Sequence, residues 1–497
     1  MKQKLYLFRL NQYQNAKRIP QHFMRPALFF AFLLSILLLT SCTNDQNTSK
    51  KVYIGGQIEN PSSEYVIISK NEVDIDTFKL NENNRFGGEI NNVEPGLYTF
   101  RHPPENQIMY LEPGDSTLVF VNTLDFDESI NFSGKGSRES NFLTNMYLLN
   151  QKNNELILHY YKVKPEEFAR KTDSIRSQRI SDLDRLRDNY ELSDNFYSLA
   201  TSSINYEYYD LRERYTFLIE KYYQDYADNI PKDFHDYRKD ISFDDKASQD
   251  NYVYLNLLDD YLRSKSIENC HELKSKSSDC YDLNSFSNIK DRMEMVDSLI
   301  KIESIRNAFL ELLSAQGIIY SQDENDIKSI VEMMSKMNYS GKQMDDINQM
   351  AMIQTNLLPG KNIGHLKLLN AKGDTTTLGT ISRKPIITYH WSLSSQGHHK
   401  WEDKIIEDLR FKYPEINFIG INIDKDQFDI WQERINGKLF NPDFEYKLEM
   451  IRVKEKLLKN YLNKLLFIKP DGTIIRGDVQ INSPELENRI LEFISQK

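Results

Sequence analysis

Pro385-Ile386-Ile387-Thr388-Tyr389-His390-Trp391, followed by Ser392-Leu393-Ser394-Ser395-Gln396-Gly397-His398, is the stretch on which the fold turns. Its first half is a mainly apolar, β-branched and aromatic run, which reads as a buried strand, and its second half is small and polar, which reads as a turn. Working outward, Trp401 to Phe411 has helical spacing, with Ile405, Ile406, Leu409 and Phe411 apolar. Ile416 to Asp424 is a second buried strand, and Lys425 to Arg434 a second helix. Leu465-Leu466-Phe467-Ile468 is a third strand, turned by Lys469-Pro470-Asp471-Gly472 into Thr473-Ile474-Ile475. Pro484 to Ser495 closes the chain as a helix. A β-α-β unit followed by β-β-α predicts an α/β domain over residues 357–497.

That order, and several residues within it, resemble the thioredoxin-like proteins of the membrane-anchored disulfide reductase type (TlpA/ResA-like). Gly360 to Leu378, with Leu366, Leu368 and Gly373-Asp374, matches the family's entry hairpin. His390 to His398 aligns with its Phe-Trp-Ala-x-Trp-Cys-x-x-Cys stretch, so the first redox cysteine falls on Ser395 and the second on His398. The family's cis-proline falls on Asn463, in Tyr461-Leu462-Asn463-Lys464-Leu465. The resemblance implies a thioredoxin-like fold with a substrate groove beside Asn463, and Trp391 is a candidate for its binding face. It does not carry the dithiol activity across. Disulfide exchange needs a thiolate and a resolving thiol, and a serine hydroxyl stays protonated. Asn463 is expected to be trans, because a non-proline cis bond costs about 3 kcal/mol.

Upstream the composition changes twice. Between Ser137 and Gln316 there is no glycine, which favours long helices over residues 137–356. Leu299, Ile302, Ile305, Phe309 and Leu312 form one stripe, and Gly317 sits where a C-cap glycine belongs. Tyr206, Tyr208, Tyr209, Tyr215, Tyr222, Tyr223 and Tyr226 read as the half-buried rim of a helix bundle, the rival being a sugar- or peptide-binding face. Residues 51–136 hold short β-branched or aromatic runs (Val52–Ile54, Tyr65–Ile68, Gly96–Phe100, Ile108–Leu111, Thr117–Val121) separated by turn chemistry, which predicts an antiparallel β-sandwich. With Glu112-Pro113-Gly114-Asp115 and Phe132-Ser133-Gly134-Lys135-Gly136, this region is similar to the β-domain of unknown function that precedes such domains in Bacteroidota-type lipoproteins. The whole reads as multidomain α+β.

The N-terminus reads as an address. Met24-Arg25-Pro26, a better start than Met1, leads into the apolar run Ala27 to Leu39 and then Thr40-Ser41-Cys42. The run is short for a span of roughly 20 residues, and Leu39 to Cys42 resembles the bacterial lipobox. Residues 1–41 are therefore expected to be a signal peptide, with Cys42 acylated by a palmitate-type chain and 42–50 a linker to the membrane. The expected location is the cell envelope, at the outer membrane facing the periplasm. The formal charge is −10; residues 1–41 hold six basic residues and no acid, leaving 57 basic against 73 acidic, a net of −16. Bulk charge thus argues against nucleic acid.

Cys270 and Cys280 flank a polar loop and, in an exported protein, form a candidate structural disulfide; an exchangeable redox pair is the rival. His390, His398 and His399, with Asp424 or His365, lack ligand spacing, so neither a metal nor a cofactor is expected. A Ser395/His398 hydrolase lacks an oriented base and an oxyanion hole; Ser395 is expected to cap the helix instead. The function expected is a lipid-anchored, redox-inactive thioredoxin-like module that binds an envelope protein or peptide and is not an enzyme. A thiol-disulfide oxidoreductase is the alternative.

Overall fold

The computed structural model describes residues 50–274, 278–337, 339, 342–437, 441–451 and 453–495. The signal-like run and Cys42 lie outside the described residues. The described residues divide into two compact units, 50–241 with 245–258, and 242–244 with 259–495.

The first unit opens with eight strands: β1 (Val52–Glu59), β2 (Tyr65–Lys70), β3 (Val73–Lys79), β4 (Arg85–Ile90), β5 (Gly96–His102), β6 (Glu105–Leu111), β7 (Ser116–Asn122) and β8 (Asn131–Lys135). They form two four-stranded sheets, β4-β1-β7-β8 and β3-β2-β5-β6. Ile54, Ile58, Val66, Ile68, Phe86, Phe100, Val119 and Phe132 share the core of this sandwich. Every pairing is antiparallel except β1 with β7, which run parallel. Three strands were not foreseen, each for a physical reason. β3 turns Val73 and Ile75 outward, so its alternation carries no core signal. β4 holds Gly87-Gly88 and β8 Ser133-Gly134, residues of poor strand propensity.

Three long helices follow, α1 (Ser137–Leu158), α2 (Pro165–Asn189) and α3 (Asp194–Tyr222). Pro165 occupies the first turn of α2, where its missing N–H is harmless. The Ser193 hydroxyl accepts from the Phe196 amide at the head of α3. Leu143, Leu183, Phe196, Leu199 and Ile204 pack with Leu97, Ile108 and Tyr110 of the sandwich. The tyrosine series splits: Tyr206, Tyr208, Tyr209 and Tyr215 are buried in the core, whereas Tyr222 and Tyr223 are exposed. The half-buried rim expected for all seven holds for Tyr226 and is corrected for the other six.

α4 (Tyr252–Lys274) is followed in the second unit by α5 (Phe286–Leu299), α6 (Glu303–Tyr320), α7 (Glu324–Lys336) and α8 (Lys342–Thr355). The single stripe expected from Leu299 to Leu312 is broken, since α5 ends at Leu299 and α6 starts at Glu303; Ile300 and Ile302 are buried in the connection. Gly317 is not a cap either. It lies inside α6, where a Cβ would come within 2.7 Å of Ile330 and 2.8 Å of Ile289. This glycine serves close helix packing. Cys270 and Cys280 are bonded, with Cα atoms 5.6 Å apart, a closure that contributes roughly 2–3 kcal/mol for a loop this short.

The C-terminal sheet contains β9 (Lys367–Leu369), β10 (Thr375–Thr377), β11 (Ile386–Trp391), β12 (Asn417–Asn422), β13 (Glu445–Leu448), β14 (Lys464–Ile468) and β15 (Ile474–Gln480), in the order β10-β9-β13-β12-β11-β14-β15. β11 is parallel to β12 and antiparallel to β14, and β12 is parallel to β13. α9 (Gln396–Lys412), α10 (Phe428–Ile435) and α11 (Leu486–Ser495) cover it, with Ile406, Leu409, Trp431, Ile435, Ile490 and Phe493 packed on Ile387, Tyr389 and Phe467. Phe411, expected on the apolar face of its helix, is 91% exposed. It follows Leu409 by two positions, which turns it to the far side of α9. β13 was missed because its four residues alternate polar and apolar. Among the described residues no helix is long and apolar enough to cross a membrane.

Candidate functional site

β11 ends at Trp391, a loop of four residues follows, and α9 begins at Gln396. Asp424, just past β12, pins that loop from below. Its carboxylate accepts from the Leu393 amide at 2.6 Å, from the Ser392 hydroxyl and from Asn422 Nδ2 at 2.7 Å. Ser395 holds the position before the first turn of α9, and its carbonyl accepts from the His399 amide at 3.1 Å. Its hydroxyl makes no capping bond, so the expected side-chain cap is absent.

His398 and Asn463 are brought together across 65 residues, His398 Nε2 lying 2.7 Å from Asn463 Oδ1. The other ring nitrogen faces Glu402 on the next turn, 3.9 Å away. With both nitrogens directed elsewhere, Ser395 gains no base from His398. The Asn463 carbonyl accepts from the Ile481 amide at 2.9 Å. The peptide before Asn463 is trans; the described residues hold one cis bond, before Pro104.

Trp391 does not line an open face. It is fully buried, its indole N–H donates to Glu445 Oε2 at 2.8 Å, and its ring stacks on His399 with centroids 3.8 Å apart and planes 7° from parallel. Side chains of a strand project to the two faces of the sheet, and the face that takes Trp391 is covered by α9 and α10, where the ring joins the core with Ile406 and Trp431. Trp391 is therefore removed from the expected binding face; Asn463 is buried as well, and Ser395 and His398 are only partly exposed.

Beside these residues lies a buried cluster of titratable groups. Glu402 is fully buried, neither carboxyl oxygen has a hydrogen-bond partner, and burial, followed by nearby Glu445, pushes its pKa well above the usual range. Burial also raises Glu445 to about 7, against the opposing donors Tyr389 and Trp391. Burial lowers His398, and takes His399 down to about 3. His390 is turned away from the other two, its Nδ1 3.0 Å from the Lys464 carbonyl, and burial takes it down to about 4. Lys464 is lowered to about 7 by burial and donates to the Ile319 carbonyl and, at 2.8 Å, to Gln354 Oε1, tying β14 to α6 and α8. The histidines thus diverge, and among the described residues no three His, Cys, Asp or Glu side chains converge as metal ligands.

Sequence reasoning missed Glu402, Glu445 and Lys464. A signal for the first was present: Glu402, Ile406 and Leu409 follow at steps of four and three, which puts Glu402 on the buried face of α9.

No family model matches the chain, and no curated protein matches it. Among solved structures, a Bacteroides vulgatus protein proposed to be a thiol-disulfide oxidoreductase matches with 21% identity, covering 28% of this chain and 99% of its own, with a TM-score of 0.24. The thioredoxin domain of a thiol-disulfide oxidoreductase from the same organism matches with 17% identity, 28% and 99% coverage and a TM-score of 0.22. A thiol:disulfide interchange protein from a Bacteroides species matches with 15% identity, 28% and 92% coverage and a TM-score of 0.22. The C-terminal domain is thioredoxin-like: its strand order and directions, with α9 joining parallel β11 and β12, are those of that fold.

Proposed function

We propose that this chain is a lipid-anchored cell-envelope protein whose thioredoxin-like domain binds a partner without dithiol chemistry, held at the outer membrane through acylated Cys42 and facing the periplasm. The observation that carries the reading is the bridge from His398 to Asn463. It joins by a hydrogen bond the two elements between which active relatives hold an extended substrate chain, and neither Ser395 nor His398 supplies a thiolate. The partly exposed Ser395 leaves a hydroxyl beside that bridge, hydrogen-bonding chemistry suited to an envelope protein or peptide. Replacing His398 with Ala is expected to abolish capture of a discrete partner from cross-linked envelopes while leaving the melt of the chain nearly unchanged. Capture that survives makes this face vestigial.

The anchor is tested separately. Mass spectrometry of the mature N-terminal peptide is expected to begin at Cys42 carrying acyl chains; an unmodified Cys42 or a retained signal overturns that part of the proposal.

A second reading, thiol-disulfide oxidoreductase, draws on the Cys270–Cys280 bond, which is the one redox-capable group among the described residues. Cys280 is almost fully buried, and burial disfavours the thiolate needed for exchange.

A further inference from the structure

We infer that buried Glu402 is the positioning residue of the His398–Asn463 site: its carboxyl O–H holds His398 in the tautomer with the proton on Nε2, so that the site offers a partner a hydrogen-bond donor. A neutral imidazole has one N–H and one bare nitrogen, and the surroundings choose which is which. His398 Nε2 lies 2.7 Å from Asn463 Oδ1. That contact alone does not choose, because an amide turned over presents its own N–H to a bare Nε2 equally well. The choice falls to Nδ1. It has no hydrogen-bond partner, and the carboxyl of Glu402, one turn along α9 and equally unpartnered, lies 3.9 Å from it. Leaving two buried polar groups face to face and unpaired is costly. The last torsion of a glutamate is soft, so turning the carboxyl closes the gap.

The direction of that bond depends on where the proton sits. Glu402 is fully buried, and the charged neighbours that act on it most are acids, Glu445 of β13 and Asp403 of its own helix. Burial works against a charge on His398 as well. An ionised Glu402 facing an imidazolium would place two charges in a buried site, at a large desolvation cost. The acid therefore keeps its proton and donates it to Nδ1, which leaves the ring N–H on Nε2. The His398 side chain is only 9% exposed, so a partner reaches that N–H by displacing the Asn463 oxygen. The atom that replaces it must accept a hydrogen bond: a peptide carbonyl of an extended segment does, whereas an N–H or an ammonium does not. The tautomer is a property of the free chain; its meaning for a partner rests on the binding reading proposed above.

Long-range proton–nitrogen correlation spectra of the full chain, labelled with nitrogen-15 histidine, read the tautomer directly. His398→Ala assigns the resonance among the nine histidines. At pH 7 His398 is expected to be neutral, with at least a tenfold excess of the Nε2–H form, about the worth of one hydrogen bond. Glu402→Gln, whose amide N–H also donates to Nδ1, is expected to keep that excess. Glu402→Leu, which fills the space and donates nothing, is expected to bring it below threefold, and thermal melts show that each variant folds. The reading of the parent chain and of Glu402→Gln stands without the apolar variant. An Nδ1–H or protonated His398 in the parent chain, or an unchanged tautomer ratio in folded Glu402→Leu, overturns the inference. Partner capture that survives His398→Ala while the tautomer is as expected sinks the binding reading alone.

Discussion

Trp391→Ala is expected to lower the stability of the thioredoxin-like domain by about 4 kcal/mol, within the range for truncating a large buried aromatic. The indole is fully enclosed, so most of that loss is packing against Ile406, Trp431 and the His399 ring. The rest arises because Glu445 Oε2 loses its indole donor in a site that water does not reach. Denaturant unfolding followed by circular dichroism measures the change. A loss below about 1 kcal/mol, the size expected for a surface side chain, would return Trp391 to an exposed face.

The second large effect depends on pH. Glu445 is fully buried and its carboxyl is raised from 4.5 to about 7. The native environment thus favours the protonated acid, so its contribution to stability is complete below 4.5 and is lost as pH rises through 7. Gln is an uncharged mimic of the acid: its oxygen can accept from Trp391, and its amide, like the protonated carboxyl, can donate to the Tyr389 oxygen once that hydroxyl, which donates to the ionised Glu445, turns its proton away. Glu445→Gln is therefore expected to match the parent chain near pH 4.5 and to exceed it by about 3 kcal/mol at pH 8, following a shift of about 2.5 units. Paired unfolding curves at the two pH values check this. A difference that does not grow between pH 4.5 and 8 means that Glu445 is ionised in the folded protein with its charge compensated.

Much of the fold was legible because its signals were local. The runs at Ile386 to Trp391, Asn417 to Asn422 and Leu465 to Ile468 are predominantly apolar, as strands covered on both faces are. Gly317 misled because a helix-stop residue and a close-packing residue are identical in sequence; only Ile289 and Ile330, distant along the chain, distinguish them. Of the site, Ser395, His398 and Asn463 were located through the resemblance, which aligns them with the family's two cysteines and cis-proline, whereas the His398–Asn463 bond was not foreseen. Trp391 was placed on the wrong side because a resemblance aligns positions and not exposure. Glu445 and Lys464 escaped notice since nothing local marks a charged residue in a strand as buried; that depends on what packs over it.

The most direct test is the reduction of insulin disulfides by the full chain with dithiothreitol as electron donor, beside a dithiol thioredoxin as positive control. The expected rate is that of dithiothreitol alone, because Ser395 and His398 provide no nucleophilic sulfur. Acceleration above that background, lost when Cys270 and Cys280 are both changed to Ser, would contradict the binding reading and establish the oxidoreductase.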